Sequence, residues 1–412
     1  MNDLFAKELE IRKVICDKAI HAFQVYGYEQ LQTPVLEQLS LFARSAGENS
    51  DIVSKEMYSL EDRDGTLLCM RPEGTAGAVR ALVDSGYFNQ DPEVKAFYIE
   101  PMFRRERPQK GRLREFTQIG AEYFGVPTPE ADIEFLAMIY DWLSSLPIGP
   151  IELVINSLGE SSERQHYLDA LQVFYTPLQE KLCSDCQRRL TKNVLRLLDC
   201  KEPKCIALAE NSPQLSKYLG ETSLTHFETV QQGLRNLFIP FRVSNNLVRG
   251  LDYYTRTVFE FVSHSGLGAQ NTIAGGGRYD GLVEELGGLK VPAIGMAAGL
   301  ERLVILLEEQ GYQPELKRPV CTLVYADEPG QKKAFELLMA GRRQGLYLDM
   351  DPKNRSVKSQ MRRADRKQSQ FAVVLGENEV LSGTAQLKSL ADGNSQPMEL
   401  TALLVELKNC DR

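Results

Sequence analysis

The chain has 412 residues, of which 43% are apolar and 25% are charged, as in an ordinary globular protein. This length predicts two or three domains. No apolar run reaches the roughly 20 residues needed to cross a bilayer, and Met1–Lys7 lacks the apolar core of a signal peptide. We therefore expect a cytoplasmic protein without membrane contact, and we expect its cysteines to be free thiols rather than a disulfide framework.

The formal net charge of −8 is unevenly distributed. From Pro319 to the end, 14 basic residues stand against 12 acidic ones, and the remainder has 34 basic against 44 acidic residues. The local field, rather than the sum over the whole chain, governs contacts with phosphate. An acidic body with local basic surfaces is therefore compatible with RNA binding.

The chain begins with a predicted amphipathic helix over residues 7–26, where apolar side chains recur at spacings of three and four. A strand is predicted over residues 28–35, and a helix over about 130–143 separates the early strands from the later ones. Further strands are predicted over residues 67–70, 96–99, 116–119, 151–155 and 258–261. Because Gly and Pro turns join most of these strands, we predict a mostly antiparallel sheet flanked by helices.

Two later regions have different patterns. Residues from about 160 to 236 are rich in Leu, Gln, Arg and Glu with helical periodicity, which predicts a helical insertion. From about Pro319, strands at 321–325, near Leu346 and at 371–375 alternate with helices at 331–344 and 357–367. Such alternation is typical of a small α/β domain with a mostly parallel sheet. The predicted fold is thus α+β, with one domain over residues 1–317 and an α/β domain over 318–412.

A basic hairpin is predicted over residues 103–116, which contain six basic and two acidic residues between two apolar strands. A hairpin tip rich in guanidinium groups suits a polyphosphate ligand. A solvated charged tip is the alternative, because most charge runs are exposed surface.

Acidic and hydroxyl side chains occur on both sides of this hairpin. Glu73 and Thr75 lie where a strand gives way to a helix, so they could grip an ammonium group or merely cap the helix. Gln118, Gly120 and Glu122 alternate along the strand after the hairpin and share one face. Because a glycine on this face lets a ligand approach, the pattern indicates a pocket floor rather than an exposed sheet face.

Three later motifs combine cations with small or aromatic residues. Arg249 comes shortly before the pair Tyr253–Tyr254, which could place a cation beside aromatic walls. Residues 274–281 predict a glycine-rich turn, without the Gly-Lys-Ser/Thr of a P-loop. Over residues 293–303 a strand of small residues runs into a helix, and Arg302 could reach a phosphate from its first turn.

The order of these motifs resembles the class II aminoacyl-tRNA synthetases, and within them the histidyl-tRNA synthetase family. Three class II signatures follow one another: a Pro-containing strand over residues 28–37, a Phe-Arg-x-Glu strand–loop–strand over 103–122, and Gly-Leu-Glu-Arg at 299–302. Two signatures of the histidine family, at residues 247–254 and 274–282, also match. The resemblance spans the whole chain and implies a catalytic domain followed by an anticodon-binding-like domain.

The resemblance also implies residue roles. Arg104, Arg249 and Arg302 would be catalytic, with Arg249 near the α-phosphate and the substrate carboxylate. Arg104, Arg112 and Arg302 would bind ATP. Histidine would contact Glu73, Thr75, Gln118, Glu122, Arg249, Tyr253, Tyr254 and Tyr279. No metal ligand is assigned at this site.

The implied activity is ATP-dependent attachment of histidine to its tRNA through a histidyl-adenylate. Its partners would be ATP as a substrate together with Mg²⁺, histidine, a histidine-accepting tRNA and a second copy of the chain in a homodimer. The alternative is a non-catalytic paralogue that senses histidine as a regulatory subunit. Such paralogues typically lose the catalytic arginine region and the C-terminal domain, whereas this chain keeps Arg104, Arg249, Arg302 and a basic C-terminal region.

Four cysteines in the helical insertion have the spacing Cys-x2-Cys-x13-Cys-x4-Cys, at Cys183, Cys186, Cys200 and Cys205. Four thiolates at this spacing could form a structural zinc site. Unpaired thiols in a helical segment are the alternative. The sequence leaves the choice open, because the resemblance requires no metal here.

Overall fold

The computed structural model describes residues 3–46, 56–105, 110–249, 253–265, 267 and 271–410. The chain forms two compact units, Met1–Pro314 and Glu315–Arg412, and each has its own sheet and apolar core. Across the described residues, every helix is too short or too polar to cross a membrane.

The first unit combines helices with strands of widely different length. Its helices are α1 (Ala6–Val25), α2 (Leu39–Ala46), α3 (Thr75–Asp84), α4 (Pro129–Ser144), α5 (Ser161–Tyr175), α6 (Ser184–Lys192), α7 (Pro203–Ala209), α8 (Glu221–Asn236), α9 (Leu282–Glu285) and α10 (Leu300–Glu309). Its strands are β1 (Glu29–Gln30), β2 (Leu36–Gln38), β3 (Tyr58–Glu61), β4 (Leu67–Met70), β5 (Val94–Phe103), β6 (Glu115–Phe124), β7 (Ile151–Ser157), β8 (Phe241–Val243), β9 (Thr255–Ser263), β10 (Thr272–Arg278) and β11 (Ala293–Gly299).

An eight-stranded sheet in the order β1-β5-β6-β11-β10-β9-β7-β8 forms the centre of this unit. Its inner strands pair antiparallel, whereas the edge strands β1 and β8 run parallel to β5 and β7. The α+β prediction is confirmed, but the expectation of a mostly antiparallel sheet must be corrected to a mixed sheet. The physical reason is that helical crossovers separate β1 from β5 and β7 from β8, and such connections return a strand in the parallel direction.

The strand predicted over residues 28–35 is largely absent. Only Glu29–Gln30 pairs with β5, and Leu36–Gln38 instead joins β4 and β3 in a separate three-stranded sheet. Pro34 lies between the two segments and has no backbone N–H to offer to a ladder. The chain therefore changes sheets at this proline.

Helices cover both faces of the central sheet. On one face, Trp142 of α4 is fully buried and its ring meets that of Phe23 of α1 edge to face, 5.5 Å between centroids. Phe97 of β5 and Phe259 of β9 belong to this core, which α8 and α10 complete. A second core lies on the opposite face, where α3 and the insertion pack around residues such as Leu171. The predicted helical insertion is present as α5–α8 between β7 and β8.

The second unit has helices on a five-stranded mixed sheet in the order β13-β12-β14-β15-β16. Its elements are β12 (Cys321–Tyr325), α11 (Glu328–Arg343), β13 (Leu348–Met350), α12 (Val357–Arg366), β14 (Phe371–Leu375), α13 (Glu377–Ser382), β15 (Thr384–Ser389), β16 (Ser395–Glu399) and α14 (Leu403–Cys410). The predicted parallel strands are β12, β13 and β14, to which the antiparallel pair β15–β16 is added.

The core around Trp142 offers a direct test of packing in the first unit. Phe135 of α4 is fully buried in that core, so Phe135→Ala should lower the free energy of unfolding by about 3–5 kcal/mol. Trp142 is the one tryptophan of the sequence, so denaturant unfolding followed by tryptophan fluorescence reports this unit alone.

Phe238→Ala is the matched control, because the Phe238 side chain belongs to the same unit and is 91% exposed. It should change the free energy by no more than about 0.5 kcal/mol. Equal losses in the two variants would contradict this description of the core.

Candidate active site

The strand pairing places the predicted pocket floor at the middle of the central sheet. Gln118, Gly120 and Glu122 of β6 lie opposite Gly299, Ala297 and Gly295 of β11, so small residues surround the polar ones. On the other side of β6, Tyr98 of β5 pairs with Gly120. On this face, β6 and β11 thus carry small residues next to the polar side chains of Gln118 and Glu122.

The glycine at position 120 makes room for a tyrosine rather than for a ligand. A Cβ at Gly120 would lie 2.1 Å from Cζ of Tyr98, which is closer than any real Cβ contact. The sequence-based interpretation of this glycine therefore needs correction. Its missing side chain lets the buried Tyr98 hydroxyl reach Glu122, to which it donates a hydrogen bond of 3.1 Å.

Glu122 is fully buried and is held by hydroxyl groups from three elements. Its Oε1 accepts hydrogen bonds from Thr75 Oγ1 at 2.8 Å and from Tyr98, while its Oε2 accepts one from the Tyr279 hydroxyl. The pKa of Glu122 is raised to about 8, chiefly by burial away from water; the hydroxyl hydrogen bonds oppose this shift, and the nearby carboxylate of Glu73 adds to it. We call Glu73, Thr75, Tyr98, Glu122 and Tyr279 the carboxylate cluster.

Glu73 caps the helix that follows it. Its Oε2 accepts from the backbone N–H of Thr75 at 2.7 Å and its Oε1 from that of Ala76 at 2.9 Å, which is the helix-cap arrangement of α3. Burial raises the pKa of Glu73, and these N–H groups oppose the shift. The loop before it is anchored by the buried pair of Arg71 and Glu100, 2.8 Å apart.

Two further aromatic rings pack beside Tyr279 of the carboxylate cluster. The ring centroids of Tyr253 and Tyr254 are 4.6 Å apart, and those of Tyr253 and Tyr279 are 5.5 Å apart. All three side chains are buried. Together with Glu122 they form an aromatic wall with hydrogen-bonding groups at its base, which suits a flat, polar ligand ring.

The guanidinium of Arg249 lies against strand β10 at Gly275, which has no side chain. A Cβ at Gly275 would lie 2.7 Å from Nη1 of Arg249. The same Nη1 donates to Oε1 of Glu260 at 2.6 Å, and Thr272 Oγ1 donates to the other carboxylate oxygen at 2.9 Å. The prediction of a glycine-rich turn at this position is thus wrong, because Gly275 belongs to strand β10. Since Gly275 has no side chain, the Arg249 guanidinium can approach the backbone of that strand.

Arg104 and Arg302 are each held by backbone carbonyl groups. Arg104 Nε donates to the Pro72 carbonyl at 2.8 Å, and its guanidinium lies over the Phe116 ring. Arg302 Nε donates to the Gly111 carbonyl at 3.3 Å, and its Nη1 donates to the Thr272 carbonyl. The preceding residue, Glu301, accepts from the Thr117 backbone N–H at 2.9 Å. That bond ties the first turn of α10 to β6.

The predicted cations share one cavity. Arg104, Arg112, Arg249 and Arg302 line a space of about 730 Å³, together with Tyr254. The structure therefore brings together all four arginines proposed from the sequence. Residues 106–109 of the basic hairpin and residues 250–252 beside Arg249 lie outside the described residues.

Gln118 lies at the edge of an adjoining space of about 210 Å³, which Arg104 and Arg249 also line. Its side chain is only 8% exposed, and within the described residues its Oε1 is buried without a hydrogen-bond partner. A buried acceptor in this condition is unfavourable unless a ligand donates to it. Gln118 is thus suited to receive an N–H group of a bound substrate.

Sequence reasoning missed two residues that organise the site, Tyr98 and Glu260. Tyr98 could not be found without the pairing of β5 with β6, because its role depends on the glycine opposite. Glu260 could have been recognised in the sequence, because it is an acidic residue between Phe259 and Phe261 in a largely apolar strand. A charge flanked by buried aromatic residues indicates a specific partner.

Residues 1–303 match the family model described as histidyl-tRNA synthetase. The chain belongs to the histidyl-tRNA synthetase family. The resemblance stated from the motifs is thus confirmed, and residues 321–409 match a further family model described as an anticodon binding domain.

Curated members of the family match this chain over nearly its full length. The histidine–tRNA ligase of Anaeromyxobacter sp. is 45% identical over 403 residues, covering 98% of this chain and 97% of that protein. That of Trichlorobacter lovleyi is 43% identical over 404 residues, covering 98% and 96%. The crystal structure of apo histidyl-tRNA synthetase from S. aureus matches with a TM-score of 0.84 at 33% identity, covering 99% of this chain and 98% of that one.

The raised pKa of Glu122 predicts a specific pH dependence of stability. The folded protein keeps this proton up to a pKa of about 8, whereas the unfolded chain releases it near 4.5. The resulting stabilisation is fully present below pH 4.5 and is lost as the pH rises towards 8. Glu122→Gln stays neutral, so its unfolding free energy relative to wild type should change by up to about 1.4 kcal/mol per pH unit in this window.

Denaturant unfolding followed by Trp142 fluorescence at several pH values measures this difference. Glu180→Gln is the matched control, because Glu180 is an exposed glutamate of the same unit. Parallel pH profiles for wild type and Glu122→Gln would show that Glu122 does not titrate in this way.

Proposed function

We propose that this protein attaches histidine to a histidine-accepting tRNA, using ATP and passing through a histidyl-adenylate. The observation that carries the proposal is the joint geometry of the site: four arginines line one cavity, and Arg249 of that cavity lies over the ring of Tyr254, beside the carboxylate cluster. The relatives named histidine–tRNA ligase over nearly the whole chain support the same activity.

In the first step, a substrate carboxylate oxygen attacks the α-phosphorus of ATP, the bond to the β-phosphate breaks and pyrophosphate leaves. The approach of the carboxylate brings two anions together. Positive charge must therefore converge where the transition state gains negative charge. Arg104, Arg112 and Arg302 would bind the phosphates, and Arg249 would lie between the α-phosphate and the attacking carboxylate. Guanidinium groups suit this role because they stay charged and bind oxygen pairs in a bidentate manner.

Arg249 is held ready for this role by its partner. The carboxylate of Glu260, fixed by Thr272, orients the guanidinium across the sheet. Its Nε is buried and has no hydrogen-bond partner within the described residues. A bound anion would satisfy this donor.

The carboxylate cluster would recognise the amino acid. Glu73 and Gln118 would accept N–H groups of the substrate's α-ammonium, in keeping with the orphaned oxygen of Gln118, and Thr75 would help to orient it. The imidazole would lie against Tyr253, Tyr254 and Tyr279 with Glu122 as its polar partner. A carboxyl whose pKa lies near neutrality can pair with an imidazole, which itself gains and loses a proton close to pH 7.

Mg²⁺ would accompany ATP as part of the substrate. Glu56 lines the arginine cavity and carries the oxygen ligands that Mg²⁺ prefers, alongside phosphate oxygens. The ion would supply further charge neutralisation at the phosphates. An adenylation rate that is unchanged when Mg²⁺ is withheld would contradict this part of the proposal.

The second unit would contact the tRNA, as its family match suggests. Helix α12 presents the exposed side chains of Lys358, Arg362 and Arg366. Basic side chains on one helix contribute the salt-dependent part of RNA binding. Charge reversal at Lys358 and Arg362 should weaken tRNA binding, and unchanged affinity at two salt concentrations would count against this assignment.

The protein would act in the cytoplasm as a homodimer. The small sheet of β2, β3 and β4 exposes Leu36 and Leu60 on one face, each more than 40% accessible. Neighbouring exposed apolar side chains are typical of an interface. A monomer by sedimentation equilibrium at micromolar concentration would contradict the dimer.

A regulatory paralogue without catalysis is the competing possibility, and it is not favoured. It would need no convergent set of phosphate-binding arginines, and no second unit matching an anticodon binding domain. Histidine-dependent ATP–pyrophosphate exchange separates the two functions. A wild-type protein that binds histidine but shows no exchange would replace the enzyme proposal by the regulatory one.

Arg249 gives the sharpest mutational test. Arg249→Ala should lower the rate of histidine-dependent exchange at least about 100-fold, because it removes charge aimed at the transition state. Arg235→Ala is the matched control, since Arg235 is an exposed arginine of the same unit. Normal tryptophan fluorescence in both variants excludes misfolding, and exchange within about twofold of wild type in Arg249→Ala would refute its role.

A further inference from the structure

Four cysteines converge in the helical insertion, and none of them has a role in the site described above. Cys183 caps the N-terminus of α6, and Cys186 lies within that helix. Cys200 follows a short 3-10 helix, and Cys205 belongs to α7. All four sulfur atoms nevertheless lie within 4.8 Å of one another. We call these residues the cysteine cluster.

The spacing of the sulfur atoms suits a tetrahedral metal. With Zn–S bonds of about 2.3 Å, the sulfurs of a tetrahedral site lie about 3.8 Å apart. The Sγ atoms of Cys183 and Cys200 are 3.8 Å apart. A disulfide requires about 2.05 Å, and all four cysteines are free.

The backbone around the cluster supplies N–H groups to the sulfurs. The Cys186 N–H points to Sγ of Cys183, and the Cys183 N–H to Sγ of Cys205, with N–S distances of 3.4 Å in both cases. Such bonds support thiolates, and outer hydrogen bonds of this kind orient the ligands of metal sites. The backbone of the insertion is therefore arranged to orient the sulfur atoms as metal ligands.

We propose that Cys183, Cys186, Cys200 and Cys205 bind one zinc ion. The ion is structural, since four protein ligands leave no open position for a substrate. It cross-links three segments that have little stability of their own, because helices as short as the nine-residue α6 and the seven-residue α7 are marginal in isolation.

The consequence reaches the arginine cavity. Cys200 lines that cavity together with Arg189, Arg196 and Lys201, and Arg249 lines the same cavity. Asp199 pairs with Arg189 at 3.3 Å and with Arg196 at 2.9 Å. By binding Cys200, which lies between Asp199 and Lys201, the zinc ion would fix the position of these basic side chains in the cavity lining.

Metal analysis of the full-length protein tests the proposal. Protein purified without chelators, with any affinity tag removed, should contain about one zinc per chain. The double variant Cys183→Ser and Cys200→Ser should contain less than about a tenth of that, because two thiolate ligands are lost. Cys16→Ser is the matched control, as Cys16 is a partly buried cysteine of the same unit, and it should keep its zinc.

A second measurement on wild-type protein removes any dependence on how the variants fold. Chelation under reducing conditions should release the zinc and expose residues 183–205 to trypsin, while Trp142 fluorescence stays unchanged. Readdition of one equivalent of zinc should restore protection. Zinc below about a tenth per chain after incubation with excess zinc and reductant would overturn the proposal. Iron in place of zinc, or full zinc content in the double variant, would overturn it as well.

Discussion

The site depends on how a fully buried carboxylate, Glu122, is accommodated at the centre of the sheet. A charge without partners there would be strongly unfavourable. Hydroxyls from α3, from β5 and from the segment after β10 supply the partners, through Thr75, Tyr98 and Tyr279. Because each donor belongs to a different element, satisfying Glu122 fixes those elements relative to one another and so shapes the pocket.

A division of charge follows from this arrangement. The acidic groups are buried, Glu122 within the sheet and Glu73 in the loop before α3, and burial raises the pKa of both. The arginines line the open cavity beside them. Arg249, paired with Glu260 and lying over the Tyr254 ring, stands where the two regions meet. The proposed reaction needs this juxtaposition, since it joins an amino acid to an anionic nucleotide.

Much of this could be predicted from the sequence, because local patterns carry the motifs. Alternation along one strand placed Gln118 on the same face as Glu122, and the resemblance of the motifs singled out Arg104 within the arginine-rich hairpin. What depends on distant strand pairing could not be predicted: the parallel edges of the sheet, and Tyr98 filling the space above Gly120. The cysteine spacing likewise left zinc and free thiols open, since only the folded insertion brings the sulfurs together.

The most direct test of the central claim is a crystal structure with a non-hydrolysable sulfamoyl analogue of histidyl-adenylate. The account predicts the imidazole beside Glu122 and Tyr279, and the sulfamoyl group within about 3 Å of the Arg249 guanidinium. The adenosine should extend towards Arg104 and Arg302. An analogue bound with its imidazole away from Glu122, or with its sulfamoyl group out of reach of Arg249, would contradict the account.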